Sequence, residues 1–337
     1  MLTVPAIVPE WRDVEPGTIF DEILGSREPA LLRGAARHWP AVRAGLESPR
    51  AMSDYLLGFD AGAAAEIMLG EPSIGGHFFY NDDLTGLNFR RQRQPLGDCL
   101  RQILEAVDVP RPPALYVGAM PMPQALPGFT RDNSLGWLDP RIVPRLWLSN
   151  RVTVQTHYDL SSNLACVVSG RRRFTLFPPE QFENLYVGPF EFTLAGQPVS
   201  MVRLDQPDEE RYPRFREAWR HARTAVLGPG DVLYIPYMWW HHVESLEPFN
   251  VLVNYWWDDT PAWAGSPFEA LVHALMAVRS LPPHKRATWE KLFAHYVFEK
   301  NGETAAHLPP ARRGLQGPLD ARLAAHARAW LASALKR

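Results

Sequence analysis

The sequence has little cysteine, little lysine and almost no net charge. Its 337 residues include two cysteines, Cys99 and Cys166, too few for a disulfide framework or a thiolate metal cage. The 35 Lys and Arg residues nearly balance the 37 Asp and Glu residues, which leaves a net charge of −2 and no cationic field to collect nucleic acid or anionic lipid. No stretch approaches the ~20 apolar residues of a membrane span, and the N-terminus lacks the basic-then-apolar pattern of a signal peptide. We therefore expect a soluble cytoplasmic protein with neither a nucleic-acid nor a membrane partner.

Proline and tryptophan, in contrast, are abundant, with 32 and 12 residues. Between residues 114 and 257 the prolines separate short β-branched or aromatic runs, as in a many-stranded β protein. After residue 261 the composition changes to helix formers with helical spacing of apolar residues. We predict a mainly β protein with α-helices, made of N-terminal α/β elements (1–113), a jelly-roll or double-stranded β-helix core (114–260), and a C-terminal helical region (261–337) that covers the barrel or forms a homodimer.

A histidine and an acid lie two residues apart at the end of the strand predicted for residues 152–157. Side chains two apart on a strand face the same way, so the imidazole of His157 and the carboxylate of Asp159 converge. A later strand contains His241 and His242, and one of them completes a set of two histidines and one carboxylate. Such a facial triad is typical of non-haem iron(II) oxygenases. Alone, the pair is a weak signal, because 11 histidines produce such pairs by chance.

Further motifs surround this pair in a fixed order. They are T-H-Y-D-L-S-S-N (156–163), G-R-R-R-F-T-L-F-P-P-E-Q-F (170–182), L-Y-V-G-P (185–189), G-P-G-D-V-L-Y-I-P (228–236), W-W-H-H-V-E-S (239–245) and V-N-Y-W (253–256). Together they resemble the cupin-like branch of the JmjC family of iron(II)- and 2-oxoglutarate-dependent oxygenases, most closely the hypoxia-inducible-factor asparaginyl hydroxylase type. The resemblance is strong over residues 114–257, weaker over 15–45 and loose in the helical tail.

The resemblance implies an iron(II) site formed by His157, Asp159 and His242. In the W-W-H-H motif it assigns the metal to the second histidine, which leaves His241 as a packing residue. Glu244 forms another histidine-x-acid pair with His242, but the family takes its carboxylate from the earlier pair. A carboxylate at 159 also favours hydroxylation, because halogenating relatives carry a small residue there.

The same resemblance implies a site for the co-substrate 2-oxoglutarate, with dioxygen as the second co-substrate. Arg172 stands where the family has a lysine that binds the distal carboxylate of 2-oxoglutarate, and a guanidinium binds a carboxylate bidentately. The other implied contacts are Tyr116, Asn163, Asn254 and a threonine, for which strand alternation from His157 favours Thr153 over Thr156.

The predicted function is a 2-oxoglutarate-dependent hydroxylase that acts on a protein or peptide side chain and releases succinate and carbon dioxide. A demethylase or a small-molecule hydroxylase of the same family runs the same initial chemistry on another substrate. A different class is a metal-binding cupin without oxygenase activity, such as an isomerase or a sugar-binding protein, which needs the metal but neither Arg172 nor Tyr116. A catalytically silent interaction protein is disfavoured by the intact set of predicted ligands.

Overall fold

The computed structural model describes residues 4–336, which fold into a β-rich unit and a helical unit. The first unit ends at Asp258 and the second begins at Asp259. Within the described part of the chain, no helix combines the length and the apolar composition needed to cross a membrane.

The strands are β1 (Ala6–Ile7), β2 (Glu10–Arg12), β3 (Ala30–Arg33), β4 (Ala64–Gly70), β5 (His77–Phe78), β6 (Phe89–Pro95), β7 (Ala114–Pro121), β8 (Pro144–Ser149), β9 (Thr153–His157), β10 (Ser162–Ser169), β11 (Arg172–Phe177), β12 (Arg223–Leu227), β13 (Val232–Ile235), β14 (Trp240–Ser245) and β15 (Asn250–Trp257). The α-helices are α1 (Pro16–Thr18), α2 (Pro40–Glu47), α3 (Pro49–Leu57), α4 (Leu96–Glu105), α5 (Met122–Ala125), α6 (Phe129–Asp132), α7 (Phe215–Arg220), α8 (Pro267–Val278), α9 (Pro283–Tyr296) and α10 (Ala321–Leu335).

Two mainly antiparallel sheets form the β-rich unit. The smaller has the order β1-β12-β11-β14-β9-β5, and the larger has the order β2-β3-β13-β10-β15-β8-β7-β4-β6. Alternation along each strand directs apolar side chains into the space between the sheets. These include Ala165, Val167, Leu233 and Leu252 from the larger sheet and Phe174, Leu176, Ala225, Leu227 and Val243 from the smaller. The predicted fold class, mainly β with α around a jelly-roll core, is confirmed.

Strands from the N-terminal part of the chain extend the larger sheet. β4 pairs with β6 on one side and with β7 on the other, and β7 pairs with β8. Helices α2, α3 and α4 cover the outer face of this sheet through a core that includes Trp39, Leu56, Ile67 and Leu100. Residues 4–113 therefore share one compact unit with the strands that follow them.

The helical unit contains α8, α9 and α10. Ser266 and Asp320 cap α8 and α10 by accepting hydrogen bonds from Glu269 N and Leu323 N, which satisfies amides that have no partner within the helix. Many large apolar side chains of this unit remain exposed, among them Leu271, Val272, Met276, Trp289, Trp330 and Leu331.

Candidate active site

A cavity of about 500 Å³ opens between the two sheets. Its lining includes six of the residues predicted from the sequence to form the iron or co-substrate site: Tyr116, His157, Asp159, Asn163, Arg172 and Asn254. Apolar side chains, including Trp147, Phe174, Val243 and Leu252, line the same space. The cavity thus combines an apolar wall with a few converging polar groups, which is typical of a small-molecule site.

A candidate metal centre lies on one side of this cavity. His157, Asp159 and His241 each offer one ligand atom, and these three atoms lie within 4.8 Å of one another. Nε2 of His241 is 3.6 Å from Oδ2 of Asp159, and this carboxylate oxygen is buried without a hydrogen-bond partner.

The backbone orients both imidazoles of this cluster. Nδ1 of His157 donates to the carbonyl of Gln155 at 2.8 Å, and Nδ1 of His241 donates to the carbonyl of Trp239 at 3.0 Å. Because a carbonyl only accepts, each ring carries its proton on Nδ1 and leaves the Nε2 lone pair available to a metal. The carbonyl of Asp159 accepts a hydrogen bond from Met238 N at 3.1 Å, which holds the two ligand segments together.

Burial also keeps His241 in the form that binds metals. Desolvation, followed by the neighbouring His157, lowers the pKa of the His241 imidazole to about 4, although Asp159 opposes this shift. His241 is therefore neutral near pH 7, as a metal ligand must be.

The structure places His241, and not the predicted His242, in this cluster. In the pairing of β11 with β14, Leu176 lies opposite His241, whereas Thr175 lies opposite His242. Successive side chains on a strand face opposite sides, so His242 points away from the cavity, where its Nδ1 lies 3.3 Å from Thr156 Oγ1. Glu244 lies two residues after His242, so the two side chains share one face of the strand. Glu244 pairs with the exposed Arg173, which identifies this face as the outer one.

Arg172 is the most unusual charged residue of the cavity. Its side chain is buried, and its Nε and Nη2 atoms have no hydrogen-bond partner. Burial lowers the pKa of Arg172 to about 10, against the opposing effect of Tyr116, so the guanidinium remains charged at neutral pH. Burial also raises the pKa of Tyr116, and its neutral hydroxyl is a hydrogen-bond donor.

A short chain of side-chain hydrogen bonds joins the two predicted asparagines. Nδ2 of Asn254 donates to Oδ1 of Asn163 at 3.1 Å, and Oδ1 of Asn254 accepts from Trp147 Nε1 at 2.7 Å. The sequence prediction omitted Trp147, although its place on β8 directs it inward opposite Leu252. The structure therefore brings Asn163 and Asn254 together with a tryptophan that was not among the predicted site residues.

The cavity lining includes neither Thr153, the favoured contact of 2-oxoglutarate, nor Thr156. His157 lies opposite His241 while Val154 lies opposite Val243, so β9 carries one extra residue between these pairs. Such a bulge reverses the alternation of side chains. Val154 therefore lines the cavity, whereas Thr153 lies opposite Glu244 and Thr156 contacts His242.

Comparison with known proteins places this fold and site in a family. Residues 16–262 match the cupin-like domain. The chain belongs to the cupin-like domain family. This finding confirms the family predicted from the ordered motifs.

Several curated proteins are similar to parts of this cupin-like chain. Human HSPB1-associated protein 1 is 45% identical over 96 residues, which cover 28% of this chain and 19% of that protein. Lysine-specific demethylase JMJ31 of Arabidopsis thaliana is 39% identical over 102 residues, 30% of this chain and 18% of that protein. The mouse tRNA wybutosine-synthesizing protein 5 is 39% identical over 107 residues, 32% of this chain and 31% of that protein. The matches thus span less than a third of each relative.

Proposed function

We propose that this protein is an iron(II)- and 2-oxoglutarate-dependent dioxygenase that hydroxylates a protein or peptide side chain, with release of succinate and carbon dioxide. One observation carries the proposal: Asp159 Oδ2 and Arg172 Nε and Nη2 are buried without partners, and both side chains line one cavity. Unpaired buried charges cost folding free energy. A cation beside Asp159 and an anion beside Arg172 would offset that cost.

The donor set fits iron(II). His157, Asp159 and His241 would hold the metal through two imidazole nitrogens and one carboxylate oxygen, with their open side toward the cavity. Two histidines and one carboxylate form the facial set of non-haem iron(II) oxygenases. Both imidazoles already donate from Nδ1 to backbone carbonyls, so Nε2 of each ring is the atom left to bind the metal.

The residues around Arg172 fit a dicarboxylate. Its two unpartnered atoms, Nε and Nη2, belong to one edge of the guanidinium, which matches the two oxygens of a carboxylate. Tyr116 lines the same cavity and would donate its hydroxyl to that carboxylate. Arg172 would thus bind the distal carboxylate of 2-oxoglutarate, as a lysine does in the enzymes that this sequence resembles.

Bound together, iron and 2-oxoglutarate supply dioxygen activation and oxidation of an unactivated C–H bond. The chain's own residues prepare the site for this chemistry. Arg172 and Tyr116 orient the co-substrate, and the backbone carbonyls of Gln155 and Trp239 keep the Nδ1 protons of the two imidazoles in place. The apolar side chains of Trp147 and Phe174 line the same cavity and would limit water around a bound substrate.

The names of similar proteins support a macromolecular substrate without selecting one. They include an HSPB1-associated protein, a lysine-specific demethylase and a tRNA wybutosine-synthesizing protein. We favour a protein substrate because the chain's near-neutral charge lacks the cationic field of an RNA-binding protein. Demethylation and small-molecule hydroxylation are the alternatives within the same chemistry.

We also propose a cytoplasmic homodimer. Cys99 and Cys166 are both buried as free thiols, which fits a reducing compartment.

The exposed apolar side chains of the helical unit fit an interface between two copies of the chain. Size-exclusion chromatography with light scattering tests the dimer, and a monomeric mass would exclude it.

An anaerobic titration of the iron(II)-loaded protein with 2-oxoglutarate tests the proposed function. We expect a visible charge-transfer band from the chelated keto acid. The matched variants are His241→Ala and His242→Ala, neighbours on one strand. The band should disappear in the first and persist in the second.

The pattern of bands separates the alternatives. A band lost only with His242→Ala would restore the ligand set predicted from the sequence. Tight iron binding without any band would indicate a metal-binding cupin that is not an oxygenase. Once a band is seen, peptides, RNA and N-methylated peptides are compared as substrates by the release of succinate.

A further inference from the structure

The outer edge of β6 is an unpaired strand edge. β6 is the last strand of the larger sheet and pairs along its whole length with β4. Over residues 89–95, the described backbone makes no hydrogen bond to another backbone group outside that pairing. Alternate amides and carbonyls of an edge strand face away from its partner, so they are free to pair with another extended chain.

This edge is strongly basic. Arg90, Arg91 and Arg93 are all exposed, and Arg91 lies 3.6 Å from the carboxylate of Glu66. Within residues 4–336, neither Arg90 nor Arg93 has a carboxylate within 4.0 Å, the longest distance of an ion pair. Because neighbours alternate in direction, Arg91 and Arg93 lie on the cavity face of the sheet and Arg90 on the other. An acidic chain would meet positive charge on both faces.

The basic edge borders the cavity mouth, where lining residues such as Glu66, Arg91 and Ala195 are exposed. Phe89 and Arg91 of β6 both line the cavity. Arg91 also donates a hydrogen bond to the carbonyl of Leu194, which lines the cavity from another segment. A chain that paired with β6 would pass beside this opening.

We propose that the outer edge of β6 binds an acidic, extended segment of a polypeptide substrate and leads it to the cavity mouth. The inference rests on the proposed function, since it names the substrate that this function requires. Main-chain pairing selects a polypeptide, and Arg91 and Arg93, which lie two residues apart on one face of β6, select acidic side chains at alternate positions. A second copy of β6 does not fit, because its arginines would face the arginines of the first.

The test uses the full-length protein and a fluorescent peptide of alternating Glu and Val, with binding measured by anisotropy without iron or 2-oxoglutarate. The double variant Arg90→Glu/Arg93→Glu should bind about tenfold more weakly. Arg50→Glu is the matched control, because Arg50 is exposed on α3, and it should bind like the unaltered protein. A peptide in which prolines replace the valines keeps the charge but loses amide donors, and it should not bind. Hydrogen exchange should slow at the β6 amides when the first peptide binds.

Four results would overturn the inference. These are no binding of the acidic peptide, equal binding of the proline peptide, no effect of the double variant, and tighter binding of polyuridylate RNA than of the peptide. The keto-acid band depends on residues inside the cavity, so it is expected whichever of these results is obtained. Conversely, peptide binding at β6 without that band would refute the proposed function and leave a peptide-binding cupin.

Discussion

Two groups of histidines lie on opposite faces of the smaller sheet, and only one of these two groups forms a candidate metal site. The inner cluster, His157 and His241 with Asp159, lines the cavity. The outer cluster, His77 and His242, has ring centroids 6.4 Å apart, and neither residue lines the cavity. One peptide bond separates His241 from His242, yet the two side chains have different surroundings.

The clusters differ in how fully their polar atoms are paired. In the outer cluster, His77 Nε2 lies 2.9 Å from Gln155 Oε1, and Gln155 Nε2 donates to the carbonyls of Ser200 and Val202 at 2.7 and 2.8 Å. In the inner cluster, Asp159 Oδ2 is buried without a partner. A buried polar group without a partner is rare in native proteins. The comparison teaches that unpaired atoms beside a cavity indicate a ligand site better than the presence of histidine does.

The largest expected effect is the loss of metal binding in Asp159→Ala. We expect iron(II) affinity to fall by more than about 100-fold, because even the hydrogen-bond partners of metal ligands contribute about 10- to 100-fold. Isothermal titration under anaerobic conditions measures this affinity. Circular dichroism of the metal-free variant should match that of the unaltered protein, and full iron-dependent turnover in the variant would contradict the inner site.

Arg172→Met should weaken 2-oxoglutarate binding by about 100-fold, because two charge-assisted hydrogen bonds together contribute about 3 kcal/mol. The same change removes a buried unpaired charge, so we expect the ligand-free variant to be more stable by about 1 kcal/mol. Urea unfolding measures this stability. Arg173→Met is the matched control, because its exposed ion pair with Glu244 contributes less than about 1 kcal/mol. A destabilised Arg172→Met protein that still binds 2-oxoglutarate would show that Arg172 is structural.

The metal-free protein should lose stability on acidification. Burial lowers the pKa of His241 to about 4 and of His242 to about 3, and it also lowers the pKa of His77. These histidines bind protons more readily in the unfolded chain than in the folded protein. The free energy of unfolding is therefore highest above pH ~6.5 and decreases as the pH falls below that value. For His241 and His242 the loss at pH 5 is on the order of 2 kcal/mol each. Urea unfolding at about pH 7 and at pH 5 tests this prediction. Equal free energies of unfolding at the two pH values would contradict neutral buried imidazoles.

Gln155→Leu should destabilise the protein by about 3 kcal/mol or more. The change leaves the carbonyls of Ser200 and Val202 and the ring of His77 without their hydrogen-bond partner, and each unsatisfied buried group costs about 1–3 kcal/mol. Thermal unfolding measures the effect, with Gln102→Leu on helix α4 as a control that changes stability by less than about 0.5 kcal/mol. If Gln155→Leu leaves the stability unchanged, the hydrogen bonds of Gln155 do not stabilise the outer cluster.

The smallest effect is expected for Thr153→Val. Thr153 lies opposite Glu244 and is absent from the cavity lining, so we expect the affinity for 2-oxoglutarate to change by less than about twofold. The keto-acid band titration measures this affinity. A large loss would restore the contact predicted from strand alternation.

Much of the core strand pattern was predictable from local sequence. Ser162–Ser169 forms β10, and its continuous run of apolar residues is typical of a strand buried on both faces. The two strands β4 and β6 were not predicted. β6 has the sequence F-R-R-Q-R-Q-P, and nothing in so polar a run indicates a strand until β4 pairs with it.

The sequence by itself determined the family and the fold class, and it predicted His157, Asp159 and Arg172 as site residues, because ordered motifs and the two-residue period of a strand are local properties. Only the tertiary structure places His241 rather than His242 in the cluster, and Val154 rather than Thr153 in the cavity lining. The pairing of β11 with β14 turns His241 toward the cavity, and the extra residue of β9 between His157 and Val154 reverses the alternation before Thr153. The register of two strands far apart in the chain determines which side chains meet, and a one-residue shift transfers a side chain to the other face of the sheet.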